Sequence, residues 1–243
     1  MSRTPPEPLI THHSSLVTRR SALLFDLDGT LVDSVELIVR AFQHTAARRL
    51  GRPFDRAAIV ATIGRPLPAV LEELAPGAGE SLLAAYRAFV VEHHDALVRA
   101  YPGAVEALVA LRARGYRLGI VTAKGRAQAE LAFRLCRLTP LVDVAICHED
   151  APRHKPAPDP LLAAAARLGL PPGACCYVGD SVFDLVAARA AGMASVAVTW
   201  GAGLPADLAA ERPGALVHDF AALLDRFPAV AGRPVGAGAE RRA

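Results

Sequence analysis

The sequence predicts an α/β protein: a doubly wound, Rossmann-like parallel sheet interrupted early by an inserted all-α cap. Three observations lead there. An apolar run, Leu23-Leu24-Phe25, stops abruptly at Asp26-Leu27-Asp28-Gly29, the pattern of a strand buried on both faces and closed by a turn. From Gly103 onward short apolar strands alternate with helical stretches, and alternation with short connections implies parallel strands. Between the two, residues 35–100 carry helical periodicity alone.

Taken in order, the opening strand leads into Asp33-x-x-Glu36, which has the form of a capping box, followed by Val35, Ile38, Val39, Phe42, Ala46 and Leu50 at helical spacing. Further helices are expected over Ala57–Ile63, Leu67–Leu74 and Ser81–Val98, punctuated by Gly51-Arg52-Pro53, Gly64-Arg65-Pro66 and Pro76-Gly77. A helix over Gly103–Arg114 stops at Gly115, a natural left-handed C-cap. Strands are then expected at Arg117–Val121, Val142–Cys147, Cys175–Val178, Ser195–Val198 and Ala215–Val217, with helices over Ala127–Leu135, Asp159–Leu168 and Phe183–Ala191. The chain thus divides into a disordered N-terminal tail (1–20), a core (21–34 with 101–228), a helical cap (35–100) and a C-terminal tail (229–243).

A chain of 243 residues buries roughly 70–75% of its unfolded surface, enough for a core without disulfides. The net charge is only +3 and no basic stripe with interleaved aromatics occurs, which disfavours nucleic acid as a partner. Cys136, Cys147, Cys175 and Cys176 lie in apolar runs without C-x-x-C spacing and are expected to be buried thiols in a reducing compartment. No apolar run approaches the ~18 residues of a membrane span. Arg19-Arg20 precedes no export-type apolar region, since the chain runs straight into Asp26. A cytoplasmic protein, monomer or homodimer, is therefore expected. Of the 27 basic residues only Lys124 and Lys155 are lysines, which suggests positions where a compact ammonium is wanted instead of a planar fork.

In a parallel sheet the carboxyl ends of the strands share one edge, where ligands bind. Here those ends carry Asp26 and Asp28, Thr122, Glu149 and Asp150, and Asp180, with Asp184 four residues on; Lys155 lies in the proline-rich loop Arg153–Pro158 on the same side. Two like charges about 5 Å apart repel by roughly 3 kcal/mol at an effective dielectric near 20, so such a rim needs a cation. Carboxylates without clustered His or Cys suit magnesium, and with an ammonium and a hydroxyl the pocket suits a phosphoryl group. Thr122, opening a helix, is expected to face an anion with its hydroxyl and N–H.

Phe25-Asp26-Leu27-Asp28-Gly29-Thr30-Leu31-Val32-Asp33-Ser34 resembles the first motif of the haloacid-dehalogenase superfamily, in its capped phosphoglycolate phosphatase and pyrophosphatase-like members. Ile120–Lys124 is similar to its second motif, Lys155–Pro160 to its third and Gly179–Asp184 to its fourth, and the resemblance spans residues 21–227. It implies a magnesium-dependent phosphatase acting on a small soluble anionic phosphate. Asp26 would be the nucleophile, forming an aspartyl-phosphate, and Asp28 the acid and base. Thr122, Ala123 and Lys155 would hold the phosphate. Asp26, the carbonyl of Asp28 and Asp180 would hold magnesium, with Asp184 in support through water or Lys155. Where many relatives have Gly before the lysine, this chain has His154.

Other readings compete. Asp-x-Asp-Gly alone is often a turn or a calcium-like loop, and Asp184 alone is a first-turn helix acid. Glu149-Asp150 is expected to be a solvated loop and His93-His94 to face solvent. Arg65 and Lys124 are candidate substrate-binding residues, with an exposed turn as the plainer alternative for each. Gly179-Asp180-Ser181 lacks the partners of an esterase block, and Gly201-Ala202-Gly203 sits too late in the chain for a dinucleotide fingerprint. Pyrophosphatase, nucleotidase and sugar-phosphate phosphatase or mutase stay open as alternatives. More distant is a receiver-like phosphoacceptor, which needs no helical insertion.

Overall fold

In the computed structural model, which describes residues 20–230, strand β1 (Ala22–Phe25) is wholly buried. It lies between β4 (Arg117–Val121) and β6 (Cys175–Gly179). With β5 (Val144–Ile146), β7 (Ala194–Val198) and β8 (Ala215–Val217) these strands form one parallel sheet in the order β5-β4-β1-β6-β7-β8. Because the order reverses on either side of β1, the crevice at its carboxyl end is the topological switch point. Leu23 and Phe25 pack into one hydrophobic layer with Leu118, Ile120 and Val178, while Ala22 and Leu24 join Val121, Leu161 and Tyr177 on the other side. Two covered faces explain why the strands are apolar at every position and do not alternate.

Helices α5 (Ala104–Ala113), α6 (Arg126–Leu135) and α10 (Phe220–Asp225) feed the first layer. Helices α7 (Asp159–Arg167) and α8 (Val182–Ala190) feed the second. A short α9 (Pro205–Ala210) follows β7. Neither α9 nor α10 is apparent in the sequence, since six residues are too few for a period to show. The strand expected over Val142–Cys147 shortens to β5; just before it, the Asp143 N–H donates to the Leu118 carbonyl at 2.7 Å and its carboxylate accepts from the Leu118 N–H at 2.8 Å.

The cap consists of α1 (Val35–Leu50), α2 (Arg56–Val60), α3 (Leu67–Leu74) and α4 (Gly79–Leu97). Its two connections to the core pair with each other as an antiparallel ribbon, β2 (Val32–Asp33) with β3 (Arg99–Ala100), two residues each and too short to read from sequence. Phe42 on α1 meets Tyr86 on α4 edge-on at 5.1 Å, a contact geometry aromatic pairs favour.

Two expectations are corrected here. The capping box at Asp33 does not form: the N-cap of α1 is Ser34, which makes no capping bond because its hydroxyl donates to Asp28 at 2.5 Å. His94 does not face solvent. It falls on the i+4 row Leu82, Tyr86, Val90, His94, is 1% exposed, and its Nδ1 lies 2.8 Å from Asp95. All four cysteines are buried free thiols, as expected. The tails expected over 1–20 and 229–243 fall almost entirely outside the described residues.

Candidate active site

The turn after β1 is held by its own backbone. Leu31 and Val32 both donate to the Leu27 carbonyl, at 3.0 and 2.9 Å, and Gly29 donates to Val32 at 2.9 Å. Gly29 has φ +82°, and a Cβ there would stand 2.3 Å from Asp180 Oδ2. Only glycine provides both the left-handed turn and the close approach. Thr30, on this turn, donates to Asp180 Oδ1 at 2.8 Å, and its own carbonyl accepts from the Trp200 indole at 3.0 Å.

The Asp180 carboxylate therefore stands against the loop that follows β7. The Ala202 N–H donates to Asp180 Oδ2 at 2.8 Å, and Cβ atoms at Gly201 or Gly203 would meet Asp180 at 2.3 and 2.0 Å. The glycines dismissed above as a dinucleotide decoy thus make room for an acid. Asp184 sits at the third position of α8, where Ser181 N and Oγ donate to its Oδ2 at 3.0 and 2.6 Å. This reciprocal cap, in which Ser181 Oγ also accepts from the Asp184 N–H, fixes the carboxylate before any ligand arrives.

Lys155 closes the group from below. Its ammonium lies 2.6 Å from Asp184 Oδ1, 3.0 Å from Asp26 Oδ1 and 3.1 Å from the Tyr177 hydroxyl. Tyr177 spends its proton on the Val121 carbonyl at 2.8 Å, so toward Lys155 it acts as acceptor, and each ammonium proton has a partner. Burial works against the Lys155 charge, but Asp184 and then Asp26 prevail and hold it well above the ordinary lysine value. Burial pushes the Asp26 carboxyl well up; Lys155 opposes this and Asp184 and Asp180 reinforce it. Burial, with Asp184 beside it, likewise pushes Asp180 up to about 7.

Carboxylate oxygens of Asp26, Asp180 and Asp184 converge within 4.8 Å of one another. Three carboxylates against one ammonium leave two negative charges in excess when all are ionised, and the donors are all oxygen. That set fits a hard divalent ion. The Asp28 side chain stands apart from the triple: its Oδ1 accepts from Ser34 and from Lys124 Nζ, the latter at 2.6 Å.

A linkage prediction follows for the metal-free protein. A carboxyl raised on folding binds its proton more tightly in the native state, so its contribution is complete below the unfolded value near 4 and is lost as pH rises through about 7. Urea unfolding is expected to show stability falling by a few kcal/mol between pH 5 and 7.5, with a flatter profile in Asp180→Asn. Equal slopes would contradict it.

Asp26, Asp28, Thr122, Ala123 and Lys124 line one cavity between core and cap, and Arg65 joins them from the cap. Asp180, Asp184 and Lys155 are buried behind Asp26. Arg65 is paired with Glu73 at 2.5 Å. Thr122 does not open a helix: α6 begins at Arg126, and the Thr122 N–H donates to the Ile146 carbonyl at 2.9 Å as an extension of the sheet, which leaves only the hydroxyl for a ligand. Glu149 is exposed, as expected, though it accepts from the Arg126 N–H; Asp150 departs from the expected solvated loop, being half-buried and paired with Arg126 and, at 2.9 Å, with Arg167.

A family model described as haloacid dehalogenase-like hydrolase matches residues 23–198. The chain belongs to the haloacid dehalogenase-like hydrolases. It is 36% identical over 205 residues to a Caldanaerobacter subterraneus protein provisionally named pyrophosphatase PpaX, covering 84% of this chain and 93% of that one. It is 34% identical over 204 residues to pyrophosphatase PpaX of Bacillus cereus, covering 84% and 94%. Among solved structures, a Lactobacillus plantarum protein provisionally named a phosphoglycolate phosphatase superposes with a TM-score of 0.78 at 28% identity, covering 86% of this chain and all of that one. This dehalogenase-like hydrolase has, among its described residues, no helix long and apolar enough to cross a membrane.

Thr30 and Ser34 fall inside the first motif but receive no role from the sequence, and Tyr177 and the Gly201–Gly203 loop go unnoticed as parts of the site; of these two the loop alone leaves a signal, a Gly-x-Gly shortly after the end of a strand.

Proposed function

We propose that this hydrolase is a magnesium-dependent phosphatase that takes the phosphoryl group of a small soluble phosphate ester onto Asp26. The observation carrying this reading is the Lys155 ammonium wedged between Asp26 and Asp184, at 3.0 and 2.6 Å, inside a converging carboxylate triple. Lys155 fixes Asp26 through Oδ1; no hydrogen bond among the described residues reaches the second oxygen, and Asp26 lines the cavity. That second oxygen attacks phosphorus, the bond to the ester oxygen breaks, and Asp28 delivers a proton to the departing alcohol. Water then attacks phosphorus with Asp28 taking its proton, the Asp26–phosphorus bond breaks, and phosphate leaves. Thr122 and Ala123, which line the cavity, hold the phosphoryl oxygens throughout; Lys155, expected from the sequence to join them, has its three protons on Asp26, Asp184 and Tyr177 and acts by fixing Asp26. Asp26, Asp180 and the Asp28 carbonyl would hold magnesium, supported by Asp184; when bound, the ion offsets the charge of the carboxylates and of the phosphoryl oxygens.

The reading keeps the division into a core of 21–34 with 101–228 and a cap of 35–100, the cap closing over the substrate to exclude water. The name of its curated relatives favours pyrophosphate as a second reading. Phosphate release from phosphoglycolate, pyrophosphate, sugar phosphates and nucleotides, each with magnesium and with a chelator, tests the proposal. Release from at least one, abolished by the chelator, is expected; release indifferent to chelation would refute the metal's role, and formation of an isomerised phosphosugar would favour a mutase.

A further inference from the structure

The cavity between cap and core has two chemically different walls. The core wall brings Asp26, Asp28, Thr122 and Lys124; the cap wall is largely hydrocarbon, with Leu37, Ile38, Phe42, Ile63, Val70 and Val90. Pyrophosphate matches the first wall and not the second. Its leaving half is itself a multiply charged phosphate, and pressing it against hydrocarbon strips its water without supplying new donors. A carbon body gains from the same contact.

The cations at the cavity are few, and two are committed. Lys124 is 2.6 Å from Asp28 and Arg65 is 2.5 Å from Glu73. Arg87, beside Tyr86 on α4, also lines the cavity, is exposed, and has no hydrogen-bond or ion-pair partner among the described residues. A single planar guanidinium suits one carboxylate, which it can bind through two parallel bonds. A second phosphate would bring more charge than Arg87 alone balances.

Resting on the phosphatase reading above, we infer that the substrate is an organic phosphate monoester with an apolar carbon body against the cap wall and a carboxylate that Arg87 binds. The alcohol leaves with the proton from Asp28 and keeps both its carbon body and its carboxylate. Arg87 is then a specificity-determining residue, remote from the reacting phosphorus.

The test compares kcat/KM, with magnesium, for short alkyl phosphates, their ω-carboxylated counterparts and inorganic pyrophosphate, in the parent protein and in Arg87→Gln. Both ester series are expected to exceed pyrophosphate. The carboxylate is expected to add roughly 10-fold, the worth of one modest ion pair, mostly through KM, and Arg87→Gln to remove that advantage. Pyrophosphate equal to or better than the esters overturns the inference while leaving the phosphatase reading standing. So does a carboxylate advantage that is absent or that survives Arg87→Gln. No phosphate release from any of the three overturns the inference, and the phosphatase reading falls with it only if sugar phosphates and nucleotides, assayed alongside, release none either.

Discussion

Asp26→Asn is expected to lose turnover by roughly 10⁴–10⁶-fold, the scale on which removing a nucleophile acts, while the protein stays folded. The amide keeps the shape of the carboxyl, so the packing at the end of β1 is undisturbed. It also removes an acid that burial already disfavours in its charged form. Lys155 keeps Asp184 at 2.6 Å and Tyr177 at 3.1 Å as partners. Metal-free Asp26→Asn should therefore melt at or above the parent temperature at pH 7.5. Activity lost together with stability would mean that the residue serves the fold and not the reaction.

Lys155→Met carries the second large effect, and on both quantities. The methionine fills much the same volume but leaves Asp26 and Asp184 facing each other in a buried site without their ammonium. Breaking a buried ion pair from one side costs about 3–5 kcal/mol, and here one lysine serves two acids and the Tyr177 hydroxyl. The loss should be smaller at pH 5 than at pH 7.5. Without Lys155, which opposes the upward push of burial on Asp26, that carboxyl holds its proton to still higher pH, and acid returns it to the neutral form that the site tolerates. Lys155→Arg should rescue little, because a planar guanidinium cannot fit among three acceptors placed for a compact ammonium. Urea unfolding at the two pH values, with phosphate release alongside, checks this. An unfolding free energy within 1 kcal/mol of the parent at pH 7.5 would contradict the electrostatic role given to the ammonium.

Much of this site was legible before the structure because its parts announce themselves locally. A strand that is apolar at every position has to be buried on both faces, and an acid at its end has to lie on the sheet's carboxyl edge. Asp26, Thr122 and Asp180 are all placed by that one rule, through β1, β4 and β6. The parts that escaped depend on contacts between distant stretches. Thr30 meets Asp180 across 150 positions, and the Gly201–Gly203 loop acquires its meaning only when it closes on the same acid. Asp33 has the form of a helix cap in sequence, yet the N-cap is Ser34, whose hydroxyl donates to Asp28. Thr122 was expected to start a helix, yet the sheet holds its N–H and the helix waits until Arg126. His94 has a plainer cause: the i+4 row Leu82, Tyr86, Val90, His94 points it inward, while its sequence neighbours His93 and Asp95 are polar and favour solvent.

One measurement bears most directly on the claim that Asp26 takes the phosphoryl group. A single turnover with magnesium, quenched in acid within the first half-life and followed by peptide mass mapping, should find the mass of one phosphoryl group on the peptide that contains Asp26, removable by hydroxylamine and absent from Asp26→Asn. Phosphate released in full without any such adduct on Asp26, at quench times that span the turnover, would contradict the account.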